Sequence, residues 1–225
     1  MSSINWEKTY SSGGHINSWP FSDLISLYYW YCNNLQQKEN LLKVFEFGMG
    51  TGNNYPFWRA LNVDYSGIEY SSSAVRICLE KFPELINRIQ IGDFTSALPD
   101  KEKYDVICDR AAVTCNNNAK LQRAIDNSFQ LLKKGGIFLG VDWYSKKHSD
   151  FFASSTNVDA NTKCDFLSGQ FKGVGAVHFA NYADMLDIFK NYEILHLSEK
   201  VVTNYFRSDK KDKFASWNIV ARKPL

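Results

Sequence analysis

Three glycines at alternate positions constrain the fold of this chain more than any other feature of its sequence. Residues 44–53 read Val-Phe-Glu-Phe-Gly-Met-Gly-Thr-Gly-Asn, a short apolar stretch that leads into a glycine-rich turn. Glycine adopts backbone angles closed to other residues, and without a Cβ it lets a ligand lie against the main chain. Because a helix is expected to follow, its first N–H groups would point at that ligand. The run predicts a nucleotide-like ligand at the C-terminal edge of a parallel sheet.

The glycine spacing narrows the class of ligand. Dinucleotide-binding turns have glycines at relative positions 1, 3 and 6, whereas Gly48, Gly50 and Gly52 occupy positions 1, 3 and 5, and Asn53 occupies position 6. A nucleoside-triphosphate loop needs a lysine after its last glycine, and none follows here. Glu46, two residues before the first glycine, suits a ligand that carries an ammonium group.

Strand-like and helix-like segments alternate along most of the chain. Strands are predicted at 42–47, 65–68, 86–91, 104–108 and 137–141, and helices at 53–61, 71–82 and 119–132, the last closed by Gly135 and Gly136. A further helix is predicted at 181–190, before two strands at 192–197 and 214–221 that a charged loop joins into a hairpin. Because parallel strands need crossover connections, this order predicts an α/β fold with a parallel sheet.

The 225 residues are most simply one domain, residues 1–225, with two segments outside the alternating pattern. Residues 1–40 are interpreted as an N-terminal flap, which contains His15, and a helix that begins near Pro20. The flap is expected either to cover a pocket or to pack on the body of the domain. Residues 143–180 are rich in aromatic residues and glycine. Loops of this length inside a compact domain are usually functional, so we interpret them as a substrate-covering insertion.

Composition excludes several classes of protein. The formal charge is +2, from 26 basic and 24 acidic residues, so no basic stripe for nucleic acid is expected. Five cysteines without a C-x-x-C motif argue against a zinc site or a disulfide framework and favour a reduced compartment. No segment approaches the roughly 18 apolar residues of a membrane span, and residues 1–8 have no apolar signal core. We therefore expect a cytoplasmic protein that contacts neither membrane nor nucleic acid.

The glycine motif, read as E-x-G-x-G-x-G from Glu46 to Gly52, resembles the first motif of class I S-adenosylmethionine-dependent methyltransferases. The resemblance covers residues 42–142, with four motifs in the family's order. It implies a Rossmann-like three-layer sandwich, whose seven-stranded, mostly parallel sheet ends in an antiparallel C-terminal hairpin. It also implies that Glu46, Gly48, Gly50 and Gly52 bind S-adenosylmethionine.

Two later segments resemble the family's adenosine-binding motifs. Glu69 ends the second predicted strand, where a carboxylate can accept both ribose hydroxyls, one per oxygen. Tyr70 follows it and would lie against the adenine. Gly92-Asp93-Phe94 resembles the next motif. The resemblance implies that Asp93 binds the exocyclic amine of the adenine and that Phe94 forms an apolar wall.

Asp109 and Arg110 resemble the fourth motif of this methyltransferase family. The resemblance implies that they lie near the methionine moiety of the cofactor and the transferred methyl group. Asp109 is also a candidate general base, and the planar guanidinium of Arg110 could orient an anionic substrate. His148, soon after the fifth strand, is a second candidate base. A metal-assisted site of the catechol type would need an asparagine where Trp143 stands, so no metal is expected.

The predicted function is transfer of a methyl group from S-adenosylmethionine to an oxygen, nitrogen or sulfur atom of a small-molecule acceptor. One alternative is a protein that binds the cofactor without catalysis, and another is a methyltransferase that acts on protein or RNA. A nicotinamide-dependent oxidoreductase on a related sheet is disfavoured by the position of the third glycine. The sequence leaves the acceptor and the oligomeric state open.

Overall fold

The computed structural model describes residues 2–33, 35, 41–98, 101, 103–205 and 212–225. The helices are α1 Ser2–Ser11, α2 Ser22–Tyr31, α3 Tyr55–Ala60, α4 Ser72–Lys81, α5 Asn118–Leu131 and α6 Tyr182–Ile188. The strands of the main sheet are β1 Lys43–Phe47, β2 Asp64–Glu69, β3 Ile89–Ile91, β4 Tyr104–Arg110, β5 Leu132–Tyr144, β9 Glu193–Asn204 and β10 Asp212–Arg222. Three short strands, β6 Thr156–Asn157, β7 Thr162–Cys164 and β8 Val177–His178, form a second sheet.

The main sheet has the order β3-β2-β1-β4-β5-β10-β9. The first five strands are parallel, and β10 pairs antiparallel with both β5 and β9. The predicted Rossmann-like sheet with an antiparallel C-terminal hairpin is therefore confirmed. Of the charged loop predicted between the two hairpin strands, residues 206–211 lie outside the described residues, and β9 and β10 extend into the rest of it.

Both faces of the sheet are covered, which gives the predicted three layers. Successive side chains of a strand point to opposite faces. Accordingly, Val44 packs in a core with Trp58 and other residues of the α2–α4 side, whereas Phe45 and Phe47 pack in a second core with Leu121 of α5. This arrangement holds β1 rigidly at the centre of the sheet, so the turn that follows it has a fixed position.

The role predicted for Gly135 and Gly136 is wrong, although the predicted helix, 119–132, ends within one residue of the observed one. Gly135 and Gly136 were expected to close the third crossover helix, but α5 passes directly into β5 at Leu132, and both glycines lie inside the strand. Tyr104 of β4 pairs with Leu132 of β5, and Val106 pairs with Ile137. Between these two pairs, β4 advances by two residues and β5 advances by five. The positive φ of Gly135 (+72°) allows this bulge, and glycine marks strand bulges as well as helix ends.

Smaller differences concern other element ends. The third strand was predicted from residue 86 but spans only Ile89–Ile91, after a turn. The N-terminal flap contains a helix, α1, that the sequence pattern did not indicate. Among the described residues, no helix has both the length and the apolar character needed to cross a membrane.

Candidate active site

A cavity of about 560 Å³ opens at the C-terminal ends of the parallel strands. Its floor is formed by residues that follow β1 and β3 or end β2 and β4, among them Gly48, Glu69, Asp93, Phe94 and Arg110. Its other walls come from the two segments outside the alternating pattern: Trp6, Tyr10 and His15 of the N-terminal segment, and Val158, Cys164 and Asp165 of the insertion. The volume lies within the range of about 300–1,000 Å³ typical of small-molecule sites.

The three motif glycines have different surroundings. All three have positive φ, between +55° and +78°. A Cβ on Gly48 would overlap the Cβ of Ala112, and one on Gly52 would lie 2.7 Å from the Cys78 sulfur. Of the three, only Gly48 borders the cavity. Gly50 and Gly52 shape the turn, and the missing Cβ of Gly48 leaves room for Ala112, which borders the cavity beside it.

Glu69 fits the predicted contact with a ribose. Its Oε2 accepts a hydrogen bond from the Gly50 amide (3.0 Å), and its Oε1 accepts one from the Ser71 amide (2.8 Å). A carboxylate has about four acceptor positions, so capacity remains on both oxygens for two hydroxyl groups. Glu69 is buried yet borders the cavity, and burial raises its pKa against the lowering effect of these backbone bonds.

The predicted adenine-binding residues also border the cavity. Phe94 is buried and stacks on Phe47, with ring centroids 5.2 Å apart. Burial opposes ionisation of Asp93, but hydrogen bonds from Thr95 and the nearby Lys120 lower its pKa below the ordinary value. Tyr70 is exposed at the rim. The structure thus brings Glu69, Tyr70, Asp93 and Phe94 together around one end of the cavity.

Glu46 and Asp109 do not border the cavity in the part of the chain that the structure describes. Glu46 accepts hydrogen bonds from Asn54 Nδ2 (2.8 Å) and the Tyr65 hydroxyl (2.9 Å). Asp109 accepts from two backbone amides and from Trp143 Nε1 (2.7 Å). Burial raises the pKa of each carboxyl to about 7. Both carboxyls are held by internal partners, so the geometry favours a supporting role for them over direct ligand contact.

Arg110 borders the cavity and is positioned by two neighbours. Its Nη2 donates to Asp142 Oδ2 (3.2 Å), and its guanidinium lies 4.1 Å from the centroid of the Phe21 ring. Its Nε is buried and has no hydrogen-bond partner among the described residues. The side chain keeps about a quarter (24%) of its surface exposed at the cavity, as the predicted role in orienting an anionic group requires.

The structure brings His15, and not His148, to the cavity. His148 is buried among aromatic residues, with the rings of Phe171 and Phe214 within 5.4 Å of its own, and its Nδ1 accepts the Asp150 amide. His15 borders the cavity with its ring 5.1 Å from that of Trp6. Burial, reinforced by the charge of Arg110, lowers the pKa of His15. The predicted base in the insertion thus lies outside the cavity lining, and the imidazole of His15 from the N-terminal segment lies within it.

Glu7 fastens α1 across the first turn of α4. Its carboxylate accepts hydrogen bonds from the Ser71 and Ser73 hydroxyls, both at 2.6 Å, and from the Ser73 amide at 3.3 Å. Ser71 is also the N-cap of α4. An anion is stabilised at a helix N-terminus, so this contact holds Trp6 and Tyr10 over the cavity.

Several lining residues had no motif to identify them. Trp6 and Tyr10 were noticeable only as aromatic residues in a polar segment, and Trp6 hydrogen-bonds the buried thiol of Cys115. Tyr144 and Cys164 enter from the end of β5 and from the insertion. The described residues contain no cluster of His, Cys, Asp or Glu that could hold a metal ion.

Comparison with known proteins agrees with this geometry. Residues 45–138 match the family described as a methyltransferase domain. A protein of Anoxybacillus flavithermus described as an uncharacterized methyltransferase is 28% identical over 138 residues, which are 61% of this chain and 64% of that protein. The chain therefore aligns with less than two thirds of that relative.

Solved structures with the same fold include other methyltransferases. An S-adenosylmethionine-dependent methyltransferase of Methanosarcina mazei superposes with a TM-score of 0.66 at 16% identity, over 87% of this chain and 98% of that one. A putative methyltransferase of Haloferax volcanii, solved with the Trm112 methyltransferase activator, gives 0.62 at 14% identity, over 98% of each chain. At these identities, the likeness shows the fold.

Motif order, sheet topology and the family match converge on one class. Residues 45–138 are thus similar to a methyltransferase domain, and the chain has the fold of class I S-adenosylmethionine-dependent methyltransferases.

Proposed function

We propose that this protein is a cytoplasmic enzyme that transfers a methyl group from S-adenosylmethionine to an oxygen, nitrogen or sulfur atom of a small molecule. The observation that carries this proposal is the cavity, whose walls above the cofactor-binding strand ends come from the protein's own N-terminal segment and insertion. A concave site of about 560 Å³ favours a small acceptor over a folded RNA or protein. All five cysteines are free thiols, which supports a reduced compartment.

Glu69, Asp93 and Phe94 would hold the adenosine of the cofactor, and Gly48 would let it approach the backbone. S-adenosylmethionine supplies a methyl group on a cationic sulfonium, which is already a good leaving group. The protein therefore needs mainly to align the acceptor atom and to exclude water. Glu46 and Asp109 support this alignment from behind, because their hydrogen bonds hold α3, β2 and the turn after β4 in place.

A hydroxyl acceptor requires a base, whereas a thiolate or a neutral amine requires only alignment. His15 is the histidine that borders the cavity, and its lowered pKa keeps the imidazole neutral and able to accept a proton near pH 7. We assign this role to His15 in preference to His148 or Asp109, which are enclosed by other partners.

A transfer assay tests this function. Purified protein is incubated with S-adenosylmethionine carrying a tritiated methyl group and with cell extract separated by ultrafiltration into small molecules and macromolecules. We expect transfer to the small-molecule fraction that requires the protein. Label in the macromolecular fraction alone would indicate a protein or RNA methyltransferase. No transfer to either fraction, by protein that binds S-adenosylhomocysteine, would indicate a non-catalytic binder.

A further inference from the structure

We propose that the methyl acceptor is an acidic small molecule, whose carboxylate or phosphate is bound by the guanidinium of Arg110, and that Asp142 is the positioning residue for this anchor. The proposal rests on the proposed function and names the substrate class of the same cavity.

The first observation is the exposure of Arg110 to the cavity. Its Nε is enclosed by protein, but the residue borders the cavity and its side chain keeps 24% of its surface exposed. Its Nη2 donates to Asp142. A guanidinium presents a planar array of donors that matches the oxygens of carboxylates and phosphates. A bound oxyanion would therefore accept from the accessible N–H groups and neutralise the charge.

The second observation is how strongly the guanidinium is held. Asp142 has a φ of +55°, a strained conformation for a residue other than glycine. Its amide donates to Asn218 Oδ1, and its Oδ1 accepts from Ser216 Oγ (2.9 Å) and pairs with Lys200 Nζ (2.8 Å). This leaves Oδ2 for Arg110. Backbone strain persists where surrounding contacts impose it, and it concentrates at ligand-binding sites.

The third observation is the difference between the two cations that border the cavity. Lys120 pairs with Asp93 at the adenine end. Arg110 stands at the end of β4, where it pairs with Asp142 near the end of β5 and lies against the ring of Phe21, in the N-terminal segment. Among the described lining residues, Arg110 is thus the cation that faces the walls built by the N-terminal segment and the end of β5. An acidic acceptor would meet it there.

Calorimetry on protein saturated with S-adenosylhomocysteine tests the anchor, with inorganic phosphate and benzoate as probes. We expect saturable binding of at least one probe to the wild type. Arg110→Gln should weaken this binding at least tenfold, and Arg110→Lys, which keeps the charge but loses the planar donors, should weaken it less. Lys147→Gln removes the same charge from an exposed side chain outside the cavity and should change affinity less than twofold. Absence of probe binding to the wild type, or an equal loss in Lys147→Gln, would overturn the proposal.

The amino-acid carboxylate of the cofactor is another source of the same chemistry. Titration with S-adenosylhomocysteine and with 5′-methylthioadenosine, which lacks that carboxylate, distinguishes the two. If Arg110 binds the acceptor, Arg110→Gln should change the affinity for S-adenosylhomocysteine and the affinity for 5′-methylthioadenosine by less than twofold. A tenfold loss confined to S-adenosylhomocysteine would assign the guanidinium to the cofactor and overturn the proposal. If the wild type binds neither nucleoside, the proposed function fails, while titration of the free protein with the anions still tests Arg110.

A double-mutant cycle tests Asp142. Asp142→Asn should weaken anion binding at least threefold. In the Arg110→Gln background, the same change should have no further effect, because Asp142 acts through the guanidinium. Equal losses in both backgrounds would show a merely structural role for Asp142.

Discussion

The hydroxyl of Tyr10, on α1, lies against Gly50 at the centre of the glycine turn. A Cβ built on Gly50 would be 2.8 Å from that oxygen. The N-terminal helix is thus seated directly on the turn that follows β1, and its position depends on the absence of a side chain there. Cofactor site and N-terminal cover therefore form one packed unit.

Substitution of Gly50 tests this packing. Gly50→Ala combines a φ of +55° with the contact to Tyr10, so it should reduce the free energy of unfolding by about 1–3 kcal/mol and loosen α1. Gly13→Ala is the matched control, because Gly13 has a φ of +79° and open space around it. Urea unfolding of both variants measures the difference. Equal destabilisation would mean that the Tyr10 contact contributes nothing.

The Glu7 contact predicts local opening. Glu7→Gln replaces a charged acceptor at the N-terminus of α4 by an amide, so the α1 amides should exchange with deuterium faster while the melting temperature changes little. Glu80→Gln, which breaks an exposed pair with Arg76, should leave α1 exchange unchanged. Unaltered exchange in the Glu7 variant would refute the idea that this residue fastens the helix.

The same contact predicts a pH dependence. Hydrogen bonds from Ser71 and Ser73 lower the pKa of Glu7. Its contribution is therefore fully present above the unfolded pKa of about 4.3 and is lost as pH falls through the lower folded value. Hydrogen exchange of α1, measured at a series of pH values and corrected for intrinsic rates, should show protection decreasing below about pH 4. Protection that stays constant to pH 2.5 would contradict this account.

Glu46 predicts the opposite pH dependence. Burial raises its pKa to about 7, so the folded state binds a proton that the unfolded state releases above about pH 4.3. Its contribution to stability therefore falls as pH rises through 7. Relative to the wild type, Glu46→Gln should lose less stability between pH 6 and 8, by about 1 kcal/mol. Urea denaturation at both pH values measures this, and parallel losses in the two proteins would show that Glu46 does not titrate there.

Local signals made much of the fold predictable. The predicted helices at 71–82 and 181–190 both begin at residue types that favour helix N-termini, and Ser71 and Asn181 accept N-cap hydrogen bonds there, Asn181 within a capping box with Asp184. Gly135 was misinterpreted because a glycine with positive φ serves a helix end and a strand bulge equally well. Only the pairing with β4 distinguishes the two, and pairing is a long-range property.

The site was predictable where side chains follow strand ends, and less so elsewhere. Glu69 and Phe94 border the cavity as expected, because parallel strands end at a common edge. Glu46 also lies near the end of a strand, β1, but its side chain is held by the Tyr65 hydroxyl and does not border the cavity. That orientation depends on packing between neighbouring strands. The sequence favoured His148 over His15 because His148 follows the fifth strand closely, but the distance of each from the cavity is decided by how the two covering segments fold.

Glu69 provides the most direct test of the central claim, which is that the cavity floor binds an adenosyl cofactor. S-adenosylhomocysteine is titrated calorimetrically into the wild type, Glu69→Ala and the control Glu80→Gln. We expect saturable binding to the wild type and the control, and at least tenfold weaker binding to Glu69→Ala, because two charge-assisted hydrogen bonds are lost. An unchanged dissociation constant in Glu69→Ala, or no heat and no thermal shift with the wild type at millimolar ligand, would contradict the account.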